Sequence, residues 1–215
     1  MKKVLLVTLL ASMITLPVFA TPSSIVMIPS TDIVSEGKLH MDIDTAIYEN
    51  SGSNSDTSYG LTYGFKNGEV GIDYLQWADN DQAIYNLKFG LVNKEKTKLV
   101  IGAQGLGSGT TKQNLVYLLG SQKSSDGTRF TLGFGAGDKD TLGPDENVIM
   151  AGIDKQLSDK WWGAVDYISG DSYLGALSFG VSYAVAPNAS VLVSYSIANN
   201  NDNNNMFTTQ IDINF

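Results

Sequence analysis

The stretch FTTQIDINF, residues 207–215, decides how the chain is read. Phe207, Thr209, Ile211, Ile213 and Phe215 share one side of an extended strand, and Thr208, Gln210, Asp212 and Asn214 share the other. Successive side chains of a strand point to opposite faces, so one face is largely apolar and the other polar. The segment ends on Phe215 with no polar tail, whereas the last residues of a water-soluble domain usually fray into solvent. A strand of this kind is expected to stand between an apolar surrounding and water.

The same alternation recurs along the chain. Segments of about ten residues, each bounded by turn formers, fall at 38–48, 58–65, 69–77, 83–92, 98–106, 113–122, 128–137, 147–155, 161–169, 174–184, 189–198 and 206–215. They predict twelve strands, or ten if 38–48 and 147–155 fail to pair. No stretch carries a capped 3.6-residue period, so no substantial helix is expected. The connections alternate in length. Short ones at 66–68, 93–97, 123–127, 156–160 and 185–188 interleave with mostly longer polar ones at 49–57, 78–82, 107–112, 138–146, 170–173 and 199–205. Short turns at one end and longer loops at the other describe an up-and-down antiparallel barrel that crosses an outer membrane, with the short turns in the periplasm.

The apolar stripes agree. Tyr59/Leu61/Tyr63/Phe65, Tyr85/Leu87/Phe89/Leu91, Phe130/Leu132/Phe134 and Leu177/Phe179/Val181/Tyr183 would face lipid, opposite small or polar residues such as Gly60, Thr62, Gly64, Thr131, Gly133 and Ser178. A soluble barrel would enclose these rings, and its interior could not hold them all. Aromatics also gather near both strand ends, the two levels at which amphipathic rings are most stable.

At the other end, Lys2 and Lys3 precede an apolar run over 4–17 and the small-residue site Val18-Phe19-Ala20. Residues 1–20 read as a secretory signal peptide cleaved between Ala20 and Thr21. The run is shorter than the roughly 20 residues a spanning helix needs. Residues 21–37, with Pro22 and Pro29, do not read as a strand; their apolar Ile25-Val26-Met27-Ile28 suits a periplasmic segment folded into the lumen as a plug, with a disordered periplasmic tail as the alternative, and 38–215 forms the barrel. Without the two leader lysines, 12 basic residues face 22 acidic ones, a balance that argues against nucleic acid as a partner. There is no cysteine, so disulfides and thiolate metal sites are excluded, and no cofactor is expected.

Strand phase turns Asp42, Asp44, Asp73, Asp154, Asp166 and Asp212 inward, together with His40 and, as the clearest inward base, Lys88. Carboxylates around a pore raise the local concentration of cations, so these acids point either to a narrow, weakly cation-preferring passive channel for small solutes or simply to hydrogen bonding with a plug or with water. A closed structural or surface-interaction barrel is the alternative. Catalysis is not expected. His40 and the nearby aspartates would need a nucleophile within hydrogen-bond reach, and nothing singles out Ser194 or Ser196. The glycines of 105–109 and 133–137 lie in or at the end of strands, not at the strand-to-helix turn a phosphate loop requires. The loop acids Asp79, Asp81, Asp138, Asp140, Asp145 and Glu146 match no calcium-loop spacing and read as a solvated outer surface.

The closing stretch resembles the last strand of bacterial outer-membrane β-barrels. That likeness implies an assembly signal at Phe207, Ile211, Ile213 and Phe215, read by the barrel-assembly machinery. With Ile28-Pro29-Ser30-Thr31, Gly37-Lys38, Trp161-Trp162 and Val165-Asp166-Tyr167, the chain is similar to a group of porin-like outer-membrane barrels. The resemblance implies fold, lipid surroundings and outer-membrane location, and carries over no catalytic or binding residue. Twelve-stranded porins for acidic sugars are a nearby comparison that implies a basic lumen, opposite to the acidic one read here.

Overall fold

A computed structural model of the chain describes residues 24–49, 55–76, 82–107, 112–143, 145–200 and 204–215. The leader expected at 1–20, its cleavage site at Ala20 and Thr21, and the loop acids Asp79 and Asp81 lie outside the described residues. Twelve strands follow one another: β1 (Leu39–Tyr48), β2 (Ser55–Phe65), β3 (Gly68–Gln76), β4 (Gln82–Asn93), β5 (Thr97–Leu106), β6 (Leu115–Lys123), β7 (Arg129–Ala136), β8 (Asn147–Gln156), β9 (Trp161–Ile168), β10 (Ala176–Ala186), β11 (Ala189–Ala198) and β12 (Met206–Asn214). One helical turn, α1 (Lys139–Leu142), interrupts the β7–β8 loop.

Each strand pairs antiparallel with its sequence neighbours, and β12 returns to β1 to close the barrel. The seam runs in unbroken register from His40 opposite Asn214 to Tyr48 opposite Met206. Closure satisfies the backbone of both terminal strands, which in hydrocarbon would otherwise cost several kcal/mol per unpaired group. Segments 38–48 and 147–155, the two weakest in the sequence, pair on both sides as β1 and β8, so the strand number is twelve. Boundaries move by up to three residues. β6 starts at Leu115 because Gln113 and Asn114 instead donate their N–H groups to the Gly105 carbonyl, with Asn114 at φ 43°. β2 turns into β3 through Lys66 and Asn67 alone, and Asn67 takes the left-handed conformation (φ 60°) that so tight a hairpin needs.

The outer wall is apolar. Tyr59, Leu61, Tyr63, Phe89, Phe130, Leu132, Phe134, Phe179, Val193 and Phe207 all stand exposed on it. Near the short turns, Phe65 meets Phe89 edge-on at 5.5 Å, and Trp161 lies 4.7 Å from Tyr183.

The interior departs from the uniformly small and polar lining expected of the inward faces. On β5, β6, β8, β9 and β11 the inward positions include Val100, Leu115, Tyr117, Leu119, Val148, Met150, Trp162, Ile168 and Leu192, all buried. They pack around Ile25, Val26 and Ile28, at 0–1% exposure, from the segment ahead of β1. Where inner and outer faces are both apolar, the period-two signal weakens. In β6, LVYLLGSQK, Leu115, Tyr117 and Leu119 turn inward while Val116 and Leu118 face out. Leu142 and Leu174, from two of the longer loops, join the same apolar cluster.

Candidate functional site

The lumen is shaped by the segment inside it. Residues 24–29 make a tight turn, with Ser24 bridged to Pro29 and the Ile25 N–H donated to the Ile28 carbonyl at 2.8 Å. Asp166, toward the long-loop end of β9, accepts the N–H groups of Val26, Met27 and Ile28 on one carboxylate oxygen, at 2.8, 2.8 and 3.1 Å. Further along, Thr31 shares a hydrogen bond with Ser121, and Val34 donates its N–H to Glu69 at 2.7 Å. Gly37 bonds to the Gly64 carbonyl at the short-turn end, where β1 begins.

Charge reinforces this seat. Asp32 lies between Lys98, at 2.5 Å, and the Arg129 guanidinium. Arg129 also holds Asp154 at 2.8 Å, and Asp154 accepts the Trp162 indole N–H. Burial alone would raise the Asp32 carboxyl, but Arg129 and Lys98 outweigh it and hold the group down at about 2. Lys88 reaches the Ser30 carbonyl and pairs with Glu69 at 2.9 Å.

The inward-predicted residues therefore divide between two tasks. Asp154, Asp166 and Lys88 are spent on or beside the inner segment. The other four acids form a separate group on the opposite wall. Asp212 on β12 is the register partner of Asp42 on β1, Asp42 that of Gly60 on β2, and Gly60 that of Asp73 on β3. Asp44 stands two residues above Asp42 and opposite Gln210. Gly60 leaves room here for the Asp42 carboxylate, which lies 2.3 Å from where a Cβ at that position would be and would have to move aside for any side chain. Asn86 donates to Asp73 at 2.6 Å.

His40 sits at the floor of this group, buried. Its Nδ1 is 3.1 Å from Asn214 Oδ1, and its Nε2 lies 3.5 Å from Asp212 and 3.8 Å from Asp42. It is thus within 4.0 Å of two of the four acids. It faces neither candidate serine. Ser194 and Ser196 lie opposite Thr208 and Met206, at least six residues along β12 from Asn214 or roughly 20 Å. Above the acids, the Tyr48 hydroxyl is hydrogen-bonded to Asp56 and to Tyr173 of the β9–β10 loop, which reaches over the mouth.

No family model matches the chain, and no curated protein does. Solved structures do. The KdgM porin aligns with a TM-score of 0.64 at 11% identity, over 82% of this chain and 99% of that one. The chain has the fold of an outer-membrane porin. The NanC porin aligns at 0.58 with 13% identity, covering 81% and 98%, and Omp33 of Acinetobacter baumannii at 0.52 with 10% identity, covering 85% and 99%. Fold and apolar outer wall together place this barrel in the outer membrane, where unpaired edges are abolished and aromatic faces meet acyl chains.

Within that porin fold, sequence reading missed four interior groups. Glu69, Lys98 and Arg129 sit at the first or second position of their strands, where turn and strand assignments overlap. Their phase with Gly71, Val100 and Thr131 is the signal that marks them as inward. Asp32 lies outside any strand, and nothing in its neighbours reveals its two cationic partners.

Proposed function

We propose that this barrel is a passive outer-membrane channel for small cationic solutes, kept narrow by its own residues 24–37. The observation that carries the reading is the acidic wall: Asp42, Asp44, Asp73 and Asp212 line one side of the lumen, with His40 beside Asp42 and Asp212. Asp42, Asp44 and Asp73 are partly exposed, so water reaches them. An uncompensated row of carboxylates beside low-dielectric walls concentrates cations and repels anions. A solute would move along the β12–β1–β2–β3 side, and the seated segment would limit its size. Lipid contacts the outer wall, and the outward stripe Phe207, Ile211, Ile213 and Phe215 would serve recognition by the assembly machinery.

Reversal potentials of the reconstituted barrel across a salt gradient test the reading. Cation preference is expected. Anion preference, or no conductance in the full chain and in a variant lacking residues 21–37, would end it. A second reading, a closed structural barrel, draws on the dry packing of Ile25, Val26 and Ile28 against the wall. Liposome swelling with sugars of graded size separates the two.

A further inference from the structure

The acidic wall has the features of a binding site as well as of a passage. Gln210 is 5% exposed, yet its Oε1 accepts no hydrogen bond, and Asp212, 1% exposed, has only the His40 Nε2 at 3.5 Å beside its Oδ1. Asp44 Oδ1, beside Gln210 in the register, is equally without a donor. The Gln210 amide nitrogen is directed at the Val26 carbonyl at 3.5 Å, which turns its oxygen away from the inner segment. Three neighbouring positions thus present acceptors only. Burying an acceptor without a donor is costly, and such groups ask for a ligand that brings hydrogen atoms and positive charge.

Spacing narrows the chemistry. Asp212, Asp42 and Asp73 belong to β12, β1 and β3, with Gly60 of β2 between the last two, so their backbones span three inter-strand steps, about 14 Å. Among the described residues, no three His, Cys, Asp or Glu side chains come close enough together to hold a metal ion. A compact divalent cation would touch only part of this row. A linear molecule with a charged nitrogen at each end can answer carboxylates on different strands, and each ammonium supplies three donors for acceptor-only oxygens. Tyr48 and Asp56 at the mouth add an aromatic face and a further carboxylate on the way in.

We propose that the wall formed by Asp42, Asp44, Asp73, Gln210 and Asp212 binds a linear aliphatic diamine. This deepens the channel reading and rests on it only for the sign of the solute's charge. The test is isothermal titration calorimetry on the full, folded barrel in neutral detergent, with four- and five-carbon diamines, the matching monoamines and calcium chloride at constant ionic strength. The diamine is expected to bind about tenfold or more tightly than the monoamine, because its second contact is intramolecular. Asp42→Asn with Asp73→Asn should weaken diamine binding about tenfold or more while leaving the monoamine within about threefold. Asp42→Asn alone, nearly isosteric, serves if the double variant loses the heat-modifiable migration of a folded barrel. Absence of diamine binding, equal affinity for the monoamine, tighter binding of calcium, or variants that bind as the parent does would overturn the proposal. Binding is measured without conduction, so a barrel that binds diamine but passes no current refutes the channel and keeps the site.

Discussion

The two sides of the lumen are made from the same kind of strand and carry opposite chemistry. Along β5–β11 the inward faces hold Leu115, Leu119, Val148, Met150 and Leu192, pressed dry against Ile25, Val26 and Ile28. Along β12 and β1–β3 they hold Asp212, Asp42, Asp44 and Asp73, with Gly60 leaving room for a carboxylate. Closing a sheet into a barrel dictates which residues point inward. It does not dictate whether they meet water. The chain ahead of β1 decides that: its Ile25, Val26 and Ile28 fill the β5–β11 side, while Asp42, Asp44 and Asp73 stay partly exposed. The dry side behaves as the core of a small globular protein, and the acidic side as a half-solvated wall, with Asp42, Asp44 and Asp73 partly exposed beside a buried Asp212.

Asp166 should show the contrast most strongly. Asp166→Ala removes the acceptor of two buried N–H groups and one half-buried one, a buried group costing about 1–3 kcal/mol when left unpaired. The inner segment should come loose, read as new protease cleavage within residues 24–37 and a rise in single-channel conductance. If both stay unchanged, the dry side is not held by this contact. Next comes Ile28→Ala, expected to lower the unfolding free energy of the vesicle-embedded barrel by about 2–5 kcal/mol. On the acidic wall, Asp44→Asn should change the same quantity by less than about 1 kcal/mol. Similar losses at both positions would erase the distinction between the two sides.

Acid provides a milder probe of the seat. Asp32 is held at about 2, below its ordinary 3.8, so its ion pairs contribute stability that is complete above pH of about 4 and is lost as pH falls through about 2. The contribution is of order 2 kcal/mol at most. Conductance, or protease access to residues 24–37, should therefore rise between pH 4 and pH 2, and Asp32→Asn should flatten that dependence. An unaltered profile in the variant would assign the acid response to other groups. Smallest in energy is Asp42→Asn combined with Asp73→Asn, which should move the reversal potential toward zero and shift stability by no more than about 1 kcal/mol. A reversal potential that stays at its parent value would place selectivity elsewhere in the barrel.

Much of the architecture was legible because lipid imposes a simple rule on each strand. FTTQIDINF, LKFGL and FTLGF each put rings and branched chains on one face whatever their partners, and the alternation of short and long connections orders the strands around the barrel. The inward phase of Asp42, Asp44, Asp73, Asp154, Asp166 and Asp212 follows from the same rule. Their separate duties do not. Asp154 and Asp166 look like Asp42 and Asp73 in sequence, yet one is bound by Arg129 and the other by three backbone N–H groups from residues about 140 positions earlier.

Local periodicity, then, was enough to determine a membrane barrel of twelve or ten strands, its greasy exterior and the inward set of acids, since those depend on each strand's own contact with lipid or lumen. The split of the lumen into a dry side and an acidic side arose only in three dimensions. It depends on where residues 24–37 come to rest and which charges they consume, and contacts so distant along the chain leave no period in the sequence.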